Sequence, residues 1–95
     1  MKREMDYVYM NGDEPILIEA VQKAAKASIV EQYVRHRKEK KLTQEEVARR
    51  SGVSRPNIAR FESGRYNPSL EMMVRMAAAL DMRVRISLEE KEEEE

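Results

Sequence analysis

Apolar positions between residues 42 and 64 recur at helical spacing in two short stretches that are separated by one glycine. Thr43 and Glu46, three residues apart, have the pattern of a capping box, which predicts the start of a helix. Gly52 predicts the end of that helix and a turn, because glycine adopts a positive φ without a steric penalty. Ser54 is a favoured N-cap residue and predicts the start of a second helix.

The second of these helices has one apolar side and one polar side. Ile58 and Phe61, three residues apart, point toward the core that Val47 also enters. The side chains left outside are Arg55, Pro56, Asn57 and Arg60. A helix-turn-helix buries one face of its second helix and presents the other to the bases in a DNA groove. The pattern therefore predicts a DNA-recognition helix.

Two further helices are predicted upstream of this pair. Pro15 predicts the start of the first, because its fixed φ suits the first helical position. The face expected to be shared consists of Leu17, Val21, Ala24 and Ser28. Ser28 and Glu31 have the spacing of a second capping box, which predicts a break and a new helix to about Lys40. The side chains expected to be buried on that helix are Val30, Tyr33 and Val34.

Downstream of the pair, the periodicity changes from helical to alternating. Residues 66–68 predict a loop, and Ser69 predicts the N-cap of a helix. The residues expected on its inward face are Leu70, Met73, Val74, Ala77 and Leu80. Alternation then predicts a half-buried strand. Its apolar side consists of Met82, Val84, Ile86 and Leu88.

A strand beside helices needs a partner, because its backbone polar groups and its apolar face are otherwise unsatisfied. Three partners fit the sequence: the same strand of a second protomer, the segment 7–10, or a sheet edge of another protein. We favour the second protomer, which gives a two-fold dimer of the kind that helix-turn-helix proteins use on DNA. The predicted fold is mainly α, a compact helical bundle with a helix-turn-helix and one C-terminal β-strand that pairs in a dimer.

Size and composition fit one small domain. Of the 95 residues, 38% are charged and 5% aromatic, so the core must consist mainly of aliphatic side chains and methionine. The chain has no cysteine, which excludes disulfides and thiolate metal sites and fits a reducing compartment. It also has no apolar run that could span a membrane and no signal-peptide pattern. We therefore expect a cytoplasmic protein with no membrane partner.

The zero net charge of the chain conceals a strong segregation of charge. Residues 35–65 contain ten basic and four acidic residues, a net charge of +6. Residues 89–95 contain six glutamates and one lysine, a net charge of −5. The predicted DNA-binding stretch is therefore cationic, as contact with phosphates requires. The acidic tail is expected to be disordered.

The segment from Leu42 to about Leu80 resembles the Xre (lambda/434 repressor-like) helix-turn-helix family. The blocks that carry the resemblance are Leu-Thr-Gln-Glu-Glu-Val-Ala, Gly-Val-Ser, Ile-Ala-Arg-Phe-Glu-Ser-Gly and Asn-Pro-Ser-Leu. With the ending Ala-Leu-Asp-Met-Arg-Val-Arg-Ile-Ser-Leu, residues 28–89 are also similar to HigA-type antitoxins. Lys41 departs from the family, which often has glycine there, so we expect a strained or differently closed corner. Ser51 stands where the family is usually apolar, which predicts thinner packing.

Base contacts are expected from the outward side of the recognition helix. Arg55 and Arg60 each carry a fork of donors that suits guanine O6 and N7. Asn57 suits adenine or a phosphate, and Pro56 suits a thymine methyl group. The alternatives are that the arginines only solubilise the surface and that Asn57 only serves the N-cap at Ser54.

The resemblance implies further contacts to DNA phosphates at the N-terminus of the first motif helix and in the loop after the second. The residues so assigned are Gln44, Ser54, Ser63, Arg65, Tyr66 and Asn67. It also implies a structural ion pair between Arg37 and Glu62, which would tie the preceding helix to the end of the recognition helix.

No catalytic pattern accompanies these features. His36 is the only histidine and has no second ligand at metal-binding spacing, so we expect it to be a surface residue. The sequence has no Ser-His-Asp set, no glycine-rich phosphate loop and no carboxylate pair in an apolar setting. We therefore expect no enzymatic activity, no metal and no cofactor.

Three functions fit the sequence. The first is an antitoxin that binds an inverted-repeat operator in double-stranded DNA as a homodimer, represses its own promoter and neutralises a small, basic, RelE/HigB-like toxin; the toxin rests on the resemblance. The second is a solitary Xre-type regulator. The third is a protein-bridging module that does not read DNA, against which the basic recognition face argues.

The expected organisation has four parts: an N-terminal segment and helix (1–28), the Xre helix-turn-helix domain (29–81), the dimerisation strand (82–88) and the acidic tail (89–95). Residues 1–28 are the favoured surface for a toxin, because they add tyrosines, a methionine and carboxylates to the Xre core. The residues concerned are Glu4, Asp6, Tyr7, Tyr9, Met10, Asp13, Glu14 and Glu19. The acidic tail is the alternative.

Overall fold

A computed structural model describes residues 7–8 and 16–90 of the chain. Its elements are β1 (Tyr7–Val8), β2 (Ile16–Leu17), α1 (Ile18–Glu39), α2 (Gln44–Ser51), α3 (Arg55–Glu62) and α4 (Leu70–Ala79). The mainly helical fold class is confirmed. Within the described ranges, no helix is both long and apolar enough to cross a membrane.

The N-terminal part of the chain differs from the prediction in two ways. Helix α1 begins at Ile18, not at Pro15, and it continues through Ser28 without a break. Ser28 does not act as an N-cap; its carbonyl and hydroxyl oxygens accept bonds from Gln32 Nε2 at 3.3 and 3.4 Å. The break was wrong because the alanine-rich residues 24–27 favour continuation of the helix. The expected boundary at residue 28 therefore falls inside α1.

Strands β1 and β2 form a two-stranded antiparallel ribbon. Tyr7 faces Leu17 and Val8 faces Ile16. Within the described residues, the 7–8 part of segment 7–10 pairs with β2, and no backbone bond joins it to the C-terminal segment. Tyr9, Met10 and the carboxylates up to Glu14 lie outside the described residues.

The predicted motif pair is confirmed by α2, the turn and α3. Thr43 Oγ1 accepts from the Glu46 N–H at 3.0 Å, and Glu46 Oε1 accepts from the Thr43 N–H at 3.1 Å, which completes the capping box. The bond from the Thr43 backbone lowers the pKa of the Glu46 carboxyl. Gly52 has φ of 76° and donates to the Ala48 carbonyl at 3.0 Å. The Ser54 hydroxyl accepts from the Asn57 N–H at 3.4 Å.

The core lies where α2, α3 and α4 meet the second half of α1. Phe61, Ile58 and Met76 are its most completely buried large side chains. Tyr33 of α1 meets Phe61 edge to face, with ring centroids 5.3 Å apart. Its hydroxyl donates to the Met73 carbonyl at 2.5 Å, and burial raises the pKa of Tyr33 to about 12.

Helix α4 packs only in part through the predicted face: Ala77 and Leu80 are buried as expected, and Met73 is half-buried. Ser69 is its N-cap, as expected, with the Met72 N–H 3.0 Å from Oγ. Leu70 and Val74 were expected inside but are 56% and 50% exposed. The residues that are buried are Met72, Met76, Ala77, Ala79 and Leu80. The prediction was wrong at Leu70 and Val74 because most residues of α4 are apolar, so periodicity alone does not select one face.

The predicted strand at 82–88 is not present in the single chain. The chain leaves α4 through Asp81, with φ of 59°, and the Met82 N–H donates to the Ala77 carbonyl at 2.8 Å. Residues 83–90 then run without regular secondary structure. Ile86 and Leu88 are 65% and 98% exposed. A strand is defined by a hydrogen-bonded neighbour, and the described part of one chain supplies none here.

Candidate nucleic-acid interface

The outward face of α3 carries the predicted base readers. Arg55, Pro56 and Arg60 are exposed, and Asn57 is half-buried. Pro56 lies in the first helical turn, where the missing N–H removes no intrahelical bond. Ser54, the N-cap, is also exposed. The helix thus begins with three polar side chains beside one small apolar ring.

Two of these side chains are linked to each other. Arg60 Nη1 donates to Asn57 Oδ1 at 3.2 Å, one turn earlier on the same helix. A guanidinium has five N–H donors, so this bond leaves the Arg60 fork available for a ligand. No described residue pairs with the Arg55 guanidinium. The arrangement presents two exposed guanidinium groups from one short helix.

A partly buried polar cluster built around Glu62 holds α3 against its neighbours. Arg37 Nε and Nη2 donate to the two carboxylate oxygens of Glu62 at 2.7 and 2.9 Å, and these side chains are 14% and 12% exposed. Arg37 Nη1 donates to the Leu42 carbonyl at 2.8 Å. The predicted ion pair is therefore present, and it ties the end of α1 to the end of α3 and to the start of α2.

Gln44 belongs to the same cluster. Its Nε2 donates to Glu62 Oε1 at 3.1 Å, so the side chain is held at the N-terminus of α2. An amide nitrogen has two N–H groups, and one remains after this bond. A helix N-terminus favours an anion through its free N–H groups and its dipole. The Gln44 side chain is held at this N-terminus of α2, at a place that the ion pair fixes relative to α3.

The residues between α3 and α4 fall into two groups. The Ser63 hydroxyl donates to the Arg60 carbonyl at 2.8 Å, and Arg65 is exposed. Tyr66 is half-buried and packs against the core, and Asn67 Oδ1 accepts from Lys26 Nζ at 3.3 Å. The predicted phosphate residues are thus neighbours here, but Tyr66 and Asn67 also have structural contacts within the chain.

Arg75 makes a contact between helices that the sequence did not predict. Its Nη1 donates to the Ser51 carbonyl at 3.3 Å, and its Nη2 lies 3.7 Å from Glu71 Oε1. The bond joins α4 to the C-terminal end of α2, beside Gly52. The sequence indicates only that such a donor is needed, because the last carbonyls of any helix lack intrahelical donors and a nearby arginine can satisfy them.

The local structure accommodates both departures from the family pattern, by a backbone conformation at Lys41 and by a hydrogen bond at Ser51. Lys41 adopts φ of 58°, so it takes the left-handed conformation that glycine would hold. Ser51 is 6% exposed, and its Oγ accepts from the Val53 N–H at 3.0 Å. A polar residue is tolerated at this buried position because its hydroxyl caps the turn.

The helix-turn-helix model HTH_3 matches residues 35–86 of the chain. A helix-turn-helix-type transcriptional regulator of Methanothermobacter thermautotrophicus is 58% identical over 45 residues, which are 47% of this chain and 65% of the relative. Antitoxin HigA1 of Mycobacterium tuberculosis is 41% identical over 61 residues, which are 64% of this chain and 41% of that protein. The chain thus covers less than two thirds of the length of these relatives.

Two solved structures have similar folds. The restriction-modification controller protein C.AhdI from Aeromonas hydrophila matches with a TM-score of 0.60 and 32% identity, over 63% of this chain and 91% of that one. A toxin–antitoxin module from Streptococcus pneumoniae matches with a TM-score of 0.60 and 28% identity, over 75% and 79% of the two chains. The chain belongs to the Xre-like helix-turn-helix family of DNA-binding transcriptional regulators, and its relatives include HigA antitoxins.

Proposed function

We propose that this protein is a sequence-specific repressor that binds an inverted-repeat operator as a dimer. The observation that carries the proposal is the exposure of two arginine forks on α3, a helix held in place by the Arg37–Glu62 pair. One such helix reads only a few base pairs, so two copies are needed on half-sites about one helical turn, roughly 34 Å, apart.

The contacts divide into readers of bases and binders of phosphates. Arg55 and Arg60 pair with guanines, Asn57 with an adenine or a phosphate, and Pro56 with a thymine methyl group. The residues proposed to bind phosphates are Gln44, Ser54, Ser63, Arg65, Tyr66 and Asn67. Phosphate contacts fix the register of the protein on the duplex and carry no sequence information of their own.

Substitution of individual contacts tests this division. Arg55→Ala and Arg60→Ala should each weaken operator binding by about 1–3 kcal/mol and relax base preference, as loss of a bidentate pair does. Gln44→Ala should weaken binding to operator and to random duplexes alike. Arg35→Ala is the matched control, an exposed arginine on α1 that pairs with Glu31 at 2.7 Å. Equal losses on specific and random DNA for both α3 arginines would show that they do not read bases.

We further propose that the protein is the antitoxin of a type II pair, which represses its own operon and neutralises a small, basic, RelE/HigB-like toxin. The similarity to HigA1 and to the Streptococcus pneumoniae toxin–antitoxin module supports this function. The second candidate is a regulator without a toxin, favoured by the likeness to the Methanothermobacter regulator and to C.AhdI. In neither role does the protein act as an enzyme.

The N-terminal half of α1 is the proposed toxin surface that can be tested with the full chain. Ile18 and Val21 are 37% and 51% exposed on this half. Co-expression with the product of the adjacent gene should permit growth with the native chain and fail with an Ile18→Asp/Val21→Asp variant. Leu70→Asp, at 56% exposure on α4, is the matched control. Equal rescue by all three chains would exclude this surface, and a harmless adjacent gene product would favour the solitary regulator.

A further inference from the structure

The segment after α4 forms one wall of an apolar groove. The groove has a volume of about 310 Å³ and lies between α1, α4 and residues 82–86. Its apolar lining outside the segment consists of Ile29, Tyr33, Met73, Ala77 and Leu80. Val84 is half-buried there, whereas Ile86 is 65% exposed and Leu88 is 98% exposed. The segment covers the groove only in part, and its own apolar side continues beyond it.

We infer that residues 83–89 pair with the same segment of a second copy in one antiparallel register, centred on Ile86. The inference rests on the proposed dimer and specifies its interface. Beyond Met82, the described residues of the segment make no backbone hydrogen bond within the chain. The backbone N–H and C=O groups of the segment are thus available to pair with a second strand. A two-stranded ribbon formed there would be stabilised by packing against the helices that line the groove.

Symmetry restricts the registers that are available. A two-fold axis perpendicular to a two-stranded ribbon keeps the apolar sides of both copies on the same face. Directly opposite residues of an antiparallel ladder also share a face, and side chains alternate along each strand. The two residue numbers in each pair must therefore add to an even number, so the axis passes through the position of one residue.

Charge and polarity then eliminate the other centres. A centre on either arginine places that arginine opposite its own copy, and a centre on Val84 places Arg83 opposite the partner's Arg85. Like charges directly opposite each other destabilise a ladder. A centre on Ser87 places Val84 opposite the partner's Glu90, and a centre on Leu88 places Ile86 opposite it. Centres before Arg83 would draw the end of α4 into the ladder.

Within residues 83–89, the register centred on Ile86 satisfies every pair. Met82, which would face the partner's Glu90, stays outside the ladder because its N–H donates to the Ala77 carbonyl at 2.8 Å. Ile86 faces the partner's Ile86, and Val84 faces the partner's Leu88, so the groove side is entirely apolar. On the other side, Arg83 faces the partner's Glu89, which gives two opposite-charge pairs per dimer. Because Leu88 lies opposite the partner's Val84, it comes next to the partner's groove, whose open side it covers.

Single-cysteine variants test the register directly, since the native chain has no cysteine. Ile86→Cys should form a disulfide-linked dimer on mild oxidation, because opposite Cβ atoms are about 4.5–5.5 Å apart. Val84→Cys and Leu88→Cys alone should not, because their copies lie four positions apart, about 13 Å. An equimolar mixture of these two should cross-link. Cross-linking of Val84→Cys alone, or none by Ile86→Cys in a protein that sediments as a dimer, would overturn the register.

A charge exchange gives an independent test. Arg83→Glu and Glu89→Arg should each weaken the dimer about tenfold, because each creates two like-charge pairs, and the double variant should restore it. Arg85→Glu, which faces Ser87, is the matched control and should have a smaller effect. Absence of rescue would overturn the inference. A dimer that binds its operator without Ile86→Cys cross-linking leaves the proposed function standing, whereas a cross-linked dimer that does not bind DNA refutes the proposed function alone.

Discussion

The α2–turn–α3 unit and the C-terminal segment 82–90 differ in where their polar backbone groups find partners. In the first, Thr43, Ser54 and Gly52 make bonds to residues three or four positions away. In the second, the last backbone bond within the described chain is that of the Met82 N–H. A unit whose bonds are local is complete in one chain, whereas the C-terminal segment has no such backbone partners within the described residues.

The largest expected difference between the two regions concerns apolar side chains. Phe61 is fully buried, so Phe61→Ala should lower the free energy of unfolding by about 3–5 kcal/mol, through lost burial and the cavity left behind. Leu88→Ala should leave it unchanged in protein dilute enough to be monomeric. Urea denaturation measures both. A comparable loss of unfolding free energy for Leu88→Ala in the monomer would show that Leu88 packs within its own chain.

The Arg37–Glu62 pair predicts the next effect. Arg37→Ala strands the Glu62 carboxylate near the core and should cost about 2–3 kcal/mol, less than a fully buried pair because both side chains retain some exposure. The control, Arg35→Ala, removes an exposed pair and should cost less than about 1 kcal/mol. Thermal unfolding of both variants provides the measurement, and equal costs would mean that burial does not strengthen the first pair.

The substitution Lys41→Gly should raise the free energy of unfolding, whereas the two preceding substitutions lower it. Lys41 has φ of 58°, a conformation that costs an L side chain roughly 1–2 kcal/mol and glycine nearly nothing. The variant should therefore gain about 1 kcal/mol of unfolding free energy. Gly52→Ala is the mirror experiment, since φ there is 76° and the variant should lose stability. A destabilised Lys41→Gly variant would show that the lysine side chain contributes more than its backbone strain costs.

The smallest predicted effect is a pH dependence at the start of α2. Because the pKa of Glu46 is lowered in the folded chain, its stabilising contribution is present above the unfolded pKa and is lost as pH falls through the folded value. Native protein should thus exceed Glu46→Gln in stability at pH 7, and the two should converge in acid. Unfolding curves from pH 7 to 3 measure this. A difference in unfolding free energy between the two proteins that widens below pH 4 would contradict a lowered pKa of Glu46.

The sequence predicted well those helix ends that are determined by bonds between residues close together in the chain. The capping box at Thr43 and the N-caps at Ser54 and Ser69 each involve a bond across three residues, so their spacing is visible in the sequence. The outward face of α3 followed from the apolar pair Ile58 and Phe61. The DNA contacts themselves remain predictions, because they depend on a molecule outside the chain.

The errors occur where local signals are ambiguous or override each other. At Ser28 a capping pattern competed with a run of alanines, and helix propensity prevailed. In α4 nearly all positions are apolar, so the burial of Met72 instead of Leu70 was decided by tertiary packing. The bond from Arg75 to the Ser51 carbonyl joins residues 24 positions apart, and no periodicity predicts it.

The continuity of α1 has a consequence for hydrogen exchange. The helix has 22 residues and is therefore about 33 Å long, but only its second half packs on the core, through Ile29, Val30 and Tyr33. A helical stretch without such packing is marginal in water. Amide protection should therefore fall steadily from Tyr33 toward Ile18, and the opening of the first turns should cost far less free energy than unfolding of the chain. A ligand on that half would raise protection there first.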